Sequence, residues 1–211
     1  LNIPRPKRYL CAGEYQKKQL TKYNYKKKIE IIGSCKSEKY IEKNVKYNFL
    51  VFLSHEVELE TFTKWIKYNE KERDNLSFLI RMYTQLEDYK NNKHYNYLIK
   101  KKNFYFSNQS FEKDISESKF SIFSITSAGP QAVNYGSLSI WADFSLVGSN
   151  ALFGELNNFF PSFNEKTFDS NISKLTNMSL IEIDNRLQIQ KTISKKIFSK
   201  IDYQLIDYLI N

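Results

Sequence analysis

Short, almost continuously apolar runs recur along this chain, and they constrain its fold more than any other feature. Asn48–Leu53 is such a run, and this character is typical of a strand covered on both faces, as strands of parallel sheets are. The following segment, Glu56–Lys71, has the apolar spacing of an amphipathic helix. Strands that alternate with helices in this way predict an α/β fold, with a parallel sheet and right-handed crossovers.

Similar patterns predict the remaining elements. Further strands are expected at Tyr9–Ala12, Ile29–Gly33, Leu76–Arg81, Asn103–Phe106, Lys119–Ser124 and Ser137–Trp141. Further helices are expected at Gln16–Leu20, from the cap Ser110 through Ile115, and at Thr126–Tyr135, which Gly136 closes. Beyond Asn150 the pattern is helical, and a final helix packed on the sheet is expected from the four-residue spacing of Ile193, Ile197, Ile201, Leu205 and Leu209.

Charge narrows the classes of partner. The chain has 32 Lys and Arg residues against 23 Asp and Glu residues, a formal charge of +9. This excess favours an anionic partner, such as nucleic acid, an anionic membrane surface or a phosphorylated ligand, although an A- and T-rich genome also produces a lysine excess. The Lys100–Lys102 run has no aromatic-bearing RNA module beside it, so we expect a solvated loop and no nucleic-acid partner.

Cysteine and histidine give no sign of a metal site. Cys11 and Cys35 are far apart in sequence, and His55 and His94 lack neighbouring ligands at zinc-site spacing. We therefore expect neither a metal nor a disulfide, and we expect His94 to be exposed. No apolar stretch reaches the ~18 residues that a membrane helix needs, and Leu1–Lys7 lacks the pattern of a signal peptide. The chain is interpreted as a segment entered partway through a longer protein.

The segment Phe123–Gly136 is the most informative for function. An apolar strand leads into small hydroxyl residues and a glycine, and Pro130 takes an early helical position. This predicts a helix N-terminus at the carboxyl edge of the sheet, where free backbone N–H groups and the helix dipole bind a phosphate-sized anion. The hydroxyls expected to help belong to Ser124, Thr126 and Ser127. The alternative is that these residues only cap the helix and that Gly129 only permits a tight turn.

Several short motifs follow one another between Tyr9 and Asn150. They are Lys28–Gly33, Leu50–Ser54, Phe78–Tyr83, Phe104–Ser107 followed by Phe111–Ile115, and Thr126–Gly136. In this order they resemble the carboxyl-terminal half of GT-B glycosyltransferases, specifically bacterial surface-carbohydrate and capsule enzymes of the sialyltransferase and Kdo-transferase kind. The resemblance implies a Rossmann-like nucleotide-sugar-binding domain over residues 47–211, with helices on both faces of its sheet and a helical carboxyl terminus.

The resemblance also implies an organisation and an activity. Residues 1–46 would comprise the last strand–helix–strand portion of a truncated amino-terminal domain together with a linker at Ser34–Lys46. The expected enzyme is a metal-independent glycosyltransferase without a cofactor. It would transfer sugar from a nucleotide-sugar donor, with a CMP-linked donor as one candidate, to a surface polysaccharide or lipopolysaccharide acceptor. The expected location is cytoplasmic, with the basic surface in peripheral contact with the inner membrane.

Site residues follow from the matched motifs. The donor is expected to contact Ser54, Tyr83, Ser107, Ser124, Thr126, Ser127, Ala128, Gly129 and Gln131. Arg81, at a strand end, is the candidate clamp for a donor phosphate or sugar carboxylate, its alternative being a surface salt bridge. His55 is the candidate acid or base, its alternative being a solvated residue that caps the following helix.

Two departures from the family pattern leave other functions open. Gln131 stands where the family usually has Glu, and Tyr83-Thr84 replaces the expected His-Pro pair, so the histidine that such sialyltransferases are thought to use is absent. Both changes favour a non-catalytic nucleotide- or polyanion-binding module, or a decayed transferase half, as the alternative. A GT-B-type sugar-nucleotide epimerase is the third reading, and it needs acid–base residues that the sequence does not reveal.

Overall fold

The computed structural model describes residues 8–22, 28–68, 75–83, 87–144 and 159–210. A small parallel sheet pairs β1 (Arg8–Cys11) with β2 (Lys28–Ile31), and α1 (Glu14–Lys22) lies between them in sequence. The main sheet consists of β3 (Tyr47–Leu53), β4 (Phe78–Met82), β5 (Phe104–Phe106), β6 (Ser118–Phe123), β7 (Leu138–Ala142) and β8 (Ser162–Phe163). Each neighbouring pair of strands is parallel, which confirms the predicted Rossmann-like α/β class.

Helices surround the main sheet. They are α2 (Glu56–Tyr68), α3 (Lys93–Leu98), α4 (Phe111–Glu117), α5 (Ala128–Asn134), α6 (Phe168–Thr176) and α7 (Leu180–Ile197). The last helix, α8 (Tyr203–Ile210), lies beside the small sheet, where Arg8 of β1 lies over the Tyr208 ring. A 3₁₀ turn at Glu87–Asn91 precedes α3. The side chain of Ser110 accepts a hydrogen bond from the backbone N–H of Lys113, so the predicted cap of α4 is confirmed.

The centre of the main sheet is β3. Its residues Phe49, Leu50 and Val51 are completely buried, as the continuous apolar run predicts for a strand with helices on both faces. The Phe49 ring stacks on Phe78 of β4 and on Phe120 of β6, with centroids 5.4 and 5.6 Å apart. Burial of one such side chain stabilises the fold by about 1.5–3 kcal/mol, so this row fixes the three central strands together.

The strand order creates a crevice at one edge of the sheet. In space the strands run β5-β4-β3-β6-β7-β8, so the chain moves from β3 outward to β5, then returns to the other side of β3 for β6. Successive connections therefore leave in opposite directions beside β3 and β6. In open parallel sheets, ligands bind at the carboxyl ends of the strands where the order reverses in this way.

The carboxyl-terminal part corrects one prediction. The expected final helix is two helices, because α7 ends at Ile197 and α8 begins at Tyr203. Between them the backbone N–H of Ser199 donates to Ala12 O at 2.9 Å, and that of Asp202 donates to Ile32 O at 3.0 Å. Bonding to the small sheet replaces the helical hydrogen bonds there. The strand β8 and the helix α3 were not predicted from the sequence.

Two glycines allow this link to lie close to the small sheet. A Cβ on Gly13 would lie 2.5 Å from the carbonyl oxygen of Ile197, and Gly33 has a φ of +80° beside the Lys200 carbonyl. Side chains at these positions would push the two segments apart. The small sheet of β1 and β2 is therefore packed, at Gly13 and Gly33, against the link between α7 and α8.

The predicted linker, Ser34–Lys46, has no helix or strand. Its backbone nevertheless follows the main sheet, since the N–H groups of Asn44 and Lys46 each donate at 2.8 Å to carbonyls at the end of α4. The Lys43 ammonium donates to the carbonyl of Ile115 at 2.8 Å, and burial lowers the pKa of Lys43 to about 8. These contacts hold the end of the linker, residues 43–46, against the end of α4.

A buried polar network connects α7 to the start of α5. The Gln190 amide bonds both the N–H and the carbonyl of Ser139 in β7, at 2.9 and 2.7 Å. The Ser139 hydroxyl donates in turn to the Gly129 carbonyl at 3.0 Å. Each buried polar group in this path thereby has a partner, as burial requires.

Candidate functional site

A concave pocket of about 240 Å³ opens at the carboxyl ends of β3, β4 and β6. We call it the switch-point pocket, because it lies where the strand order reverses. Seven of the residues expected at a donor site line it, namely Ser54, Arg81, Tyr83, Thr126, Ser127, Ala128 and Gln131. The topology brings these residues together from the ends of β3 and β4 and from the segment that links β6 to α5 and begins this helix.

Four other predicted residues lie outside the pocket wall. Gly129 and Ser124 are buried, and His55 is exposed at the start of α2. The hydroxyl of Ser107 donates to the carboxylate of Asp114 at 2.6 Å, which holds it against α4. Burial removes Gly129 and Ser124 from the crevice, and the bond to Asp114 holds Ser107 away from it. His55 is exposed but does not line the pocket.

The N-terminus of α5 offers fewer free amides than the sequence suggests. The N–H of Ala128 donates to Thr126 Oγ1 at 3.2 Å, and Pro130 has no N–H. Gly129 sits directly against the Phe123 ring, which a Cβ at this position would approach to 2.3 Å. The expected row of unpaired backbone donors is thus only partly present, and α5 has only seven residues. Backbone amides and the helix dipole do not by themselves make this an anion site.

A lysine that sequence reasoning missed supplies positive charge here. Lys36 lies in the linker, and its Nζ donates to Ser127 Oγ at 2.7 Å in the wall of the pocket. Ser127 is the N-cap residue of α5, but its side chain makes no capping bond to the helix. A single lysine in a charged, non-periodic segment has no sequence signal that marks it, so only the fold reveals its position.

Arg81 has a different environment, although it faces the same pocket. Its Nη1 donates to Asp114 Oδ2 at 2.7 Å and to the Gln109 carbonyl at 2.8 Å. Asp114 is completely buried and also accepts the Ser107 bond. These bonds tie β4 to α4, and they place the guanidinium beside a carboxylate that balances its charge.

The turn between β3 and α2 is closed by its own carboxylate. Glu58, completely buried, accepts hydrogen bonds from the backbone N–H groups of Ser54 and His55. This is half of a capping box, and it occupies donors that would otherwise face an anion. Burial raises the pKa of Glu58, while these backbone bonds and the Ser124 hydroxyl act in the opposite direction. The start of α2 is therefore a structural cap.

Among the described residues, the second histidine lies away from the switch-point pocket. His94, expected to be exposed, is buried at the start of α3, and burial lowers its pKa. Within the described ranges, no three or more His, Cys, Asp and Glu residues are grouped as a metal site requires. None of the helices in the described part of the chain has the length and apolarity to cross a bilayer.

Comparison with known proteins gives a likeness of fold. No family model and no curated protein sequence matches the chain. The crystal structure of a GtfA/B complex superposes with a TM-score of 0.57 at 12% identity, over 90% of this chain and 43% of that one. UDP-GlcNAc 2-epimerase from Methanocaldococcus jannaschii, in complex with UDP-GlcNAc and UDP, gives 0.58 at 10% identity, over 95% of this chain and 61% of that one.

A third structure extends the comparison. A variant of S. aureus TarM, in complex with fondaparinux, alpha-GlcNAc-glycerol and UDP, gives a TM-score of 0.52 at 13% identity, over 95% of this chain and 43% of that one. The likeness is one of fold. This chain spans less than two thirds of the length of each of the three proteins.

Proposed function

We propose that this chain is the donor-binding part of a GT-B glycosyltransferase that acts on a surface polysaccharide or lipopolysaccharide. The observation that carries the proposal is the switch-point pocket, whose wall contains seven residues from three separate motifs. Ligands of parallel α/β sheets bind in this crevice, at the carboxyl ends of the strands. The motif order resembling GT-B enzymes, and the fold shared with the GtfA/B complex and TarM, support it.

The pocket residues suit a nucleotide sugar. Hydroxyls of Ser54, Thr126 and Ser127 and the amide of Gln131 can donate hydrogen bonds to phosphate or sugar oxygens. Tyr83, 55% exposed at the end of β4, offers a ring face to a base or sugar. Transfer releases a nucleotide phosphate, so donors fixed around the phosphate would stabilise the charge that develops in the transition state.

The two catalytic candidates differ in position, because Arg81 lines the pocket and His55 does not. Arg81 makes its hydrogen bonds to Asp114 and Gln109 through Nη1, so Nη2 and Nε are the groups by which it would hold a donor phosphate. His55 is exposed and lies outside the wall. An acid or base role for His55 therefore stays a prediction that a His55→Ala variant tests through the pH profile of transfer.

Calorimetry with UDP, GDP and CMP tests donor binding. UDP is the first probe, because TarM and the epimerase were each crystallised with UDP. We expect a marked preference for one nucleotide. Gln131→Ala, in the wall, should weaken its binding by about threefold to tenfold, as the loss of one or two hydrogen bonds does. Gln188→Ala, on the exposed face of α7, is the matched control and should bind as the unmodified protein does.

Equal, steeply salt-dependent binding of all three nucleotides and of polyphosphate would instead identify a polyanion-binding module. Absence of nucleotide binding would overturn the proposal.

A sugar-nucleotide epimerase is the second candidate, since the M. jannaschii epimerase has a TM-score of 0.58 with this chain. NMR of UDP-GlcNAc incubated with the protein separates the two functions. Epimerisation inverts one carbon and keeps the sugar on UDP, whereas transfer to an added acceptor glycan releases UDP. Inversion without UDP release would favour the epimerase.

Contact with the inner membrane face is a further part of the proposal, and its support is the charge of +9. Each lysine well placed at an anionic surface contributes about 1 kcal/mol. Vesicle sedimentation with and without anionic lipid is the test. Binding that persists on purely zwitterionic vesicles would contradict an electrostatic contact.

A further inference from the structure

The backbone of Lys36 is fixed on both sides. Its N–H donates to Ser34 Oγ at 3.1 Å, and its carbonyl accepts a bond from Asn134 Nδ2 at 2.9 Å. The Tyr135 hydroxyl also donates to the carbonyl of Cys35 at 3.3 Å. Asn134 is buried at the end of α5, so the linker is attached to the same helix whose other end lines the pocket.

The Lys36 side chain reaches from this anchor into the pocket wall. Its ammonium bonds Ser127 Oγ at 2.7 Å and lies 5.6 Å from the centre of the Phe198 ring. Both neighbours are neutral, and no carboxylate in the described part of the chain forms an ion pair with Lys36. Other cations of the same region are paired, since Lys39 contacts Glu112 at 3.3 Å and Lys46 contacts Glu117 at 2.6 Å.

The hydroxyl next to Lys36 can extend this positive site. Because Ser127 Oγ accepts a hydrogen bond from the ammonium, its own proton is directed to a further acceptor. Thr126 Oγ1 accepts the Ala128 N–H in the same way, so the Thr126 proton is also available to an acceptor. One fixed charge and two hydroxyl donors thus meet in the wall of the switch-point pocket.

We infer that Lys36 and Ser127 bind the phosphate of the donor nucleotide, and that the charge for this task comes from the linker. This inference rests on the proposed function. It assigns to Lys36 the electrostatic role that the sequence motifs predicted for the amides of α5 and for Arg81. Three donors of an ammonium can bridge the Ser127 hydroxyl and phosphate oxygens at once, and charged hydrogen bonds to phosphate are stronger than neutral ones.

The test compares Lys36→Met with Lys39→Met by calorimetry against UDP and uridine. Lys39 is the matched control, because it belongs to the same segment but lies outside the pocket wall. Lys36→Met should weaken UDP binding by about tenfold and leave uridine binding within about twofold, since only UDP carries phosphate. Lys36→Arg should retain most of the affinity for UDP. Lys39→Met should change the affinity for neither UDP nor uridine.

Two further measurements keep the outcome decisive. Ser127→Ala should weaken UDP binding by about threefold, and it tests the site without altering the lysine. The salt dependence of UDP binding should be smaller in Lys36→Met, because one charge is removed. If Lys36→Met and Ser127→Ala bind UDP as tightly as the unmodified protein, the inference is wrong while the proposed function stands. If the unmodified protein binds no nucleotide, both fail.

Discussion

Two cations face the switch-point pocket, and their partners differ. Arg81 is bonded to the completely buried carboxylate of Asp114, whereas Lys36 is bonded to the neutral hydroxyl of an exposed serine. A cation beside a buried carboxylate is largely neutralised and contributes to the stability of the fold. A neutral hydroxyl does not cancel the charge of a cation beside it, so that charge is available to an anionic ligand. The comparison teaches that two cations in one pocket wall can have partners of different charge, and the proposed role of each cation follows from its partner.

The largest expected effect is on the Arg81 side. Asp114→Ala removes the buried partner of Arg81 and of Ser107, and should lower the free energy of unfolding by about 3 kcal/mol. Urea unfolding followed by circular dichroism measures it. Glu182→Gln breaks the exposed Glu182–Arg186 pair and should cost at most about 0.5 kcal/mol. A loss below 1 kcal/mol for Asp114→Ala would mean that this pair is not structural.

Substitutions at two glycines test the packing of α5, the helix whose first turn adjoins Lys36. Gly129→Ala forces a methyl group against the Phe123 ring and should cost about 2–3 kcal/mol, as overpacking of a core does. Gly136→Ala meets no atom within 4 Å, and its cost should be about 1 kcal/mol from the positive φ of +85°. Thermal unfolding of both variants measures the difference. Equal costs would show that Phe123 yields easily and that the start of α5 is not rigid.

The loss of folding stability in acid should depend on Glu117, the last residue of α4. Hydrogen bonds from Lys46 and then Lys113 lower the pKa of Glu117 from its ordinary 4.5 to about 2. A lowered pKa in the folded state contributes stability that is present above pH 4.5 and is lost as the pH falls toward 2. Glu117→Gln should therefore flatten the fall of stability across this window in a urea-unfolding series. An unchanged slope would contradict the assignment.

The smallest expected effect on stability is that of Lys36→Met. The lysine makes one bond to an exposed serine, so its loss should change the free energy of unfolding by less than about 0.5 kcal/mol. Urea unfolding beside Asp114→Ala gives the direct comparison. A loss similar to that of Asp114→Ala would show that both cations have structural roles.

Much of the fold was predictable because its strands are buried on both faces. The run at β3 and the capping serine of α4 each carry local information that the structure confirms. Tertiary contacts overrode local patterns elsewhere. The four-residue spacing of apolar residues that starts at Ile193 continues past Ile197. The helix nevertheless ends at Ile197, because the backbone that follows bonds to the small sheet. The strand β8 has two residues, which are too few to show the alternation of apolar and polar residues that predicts a strand.

The site was predictable only in part, for a similar reason. Motif order predicts that Ser54 and Thr126 lie at one edge of the sheet, because the carboxyl ends of parallel strands share that edge, and both residues line the switch-point pocket. The bond of Ser107 to Asp114 and the burial of Ser124 depend on packing that no single motif encodes. Lys36 lines the pocket although no motif marks it, because a linker lysine reaches this position only when the linker packs along α5.

Titration of UDP into isotopically labelled protein, followed by amide NMR, tests the central claim most directly. The account predicts that the largest shift changes occur at Ser54, at Thr126–Ala128 and at Lys36, which share the wall of the switch-point pocket. Changes centred instead on β1 and α1, or no saturable change at all, would contradict donor binding at this edge of the sheet.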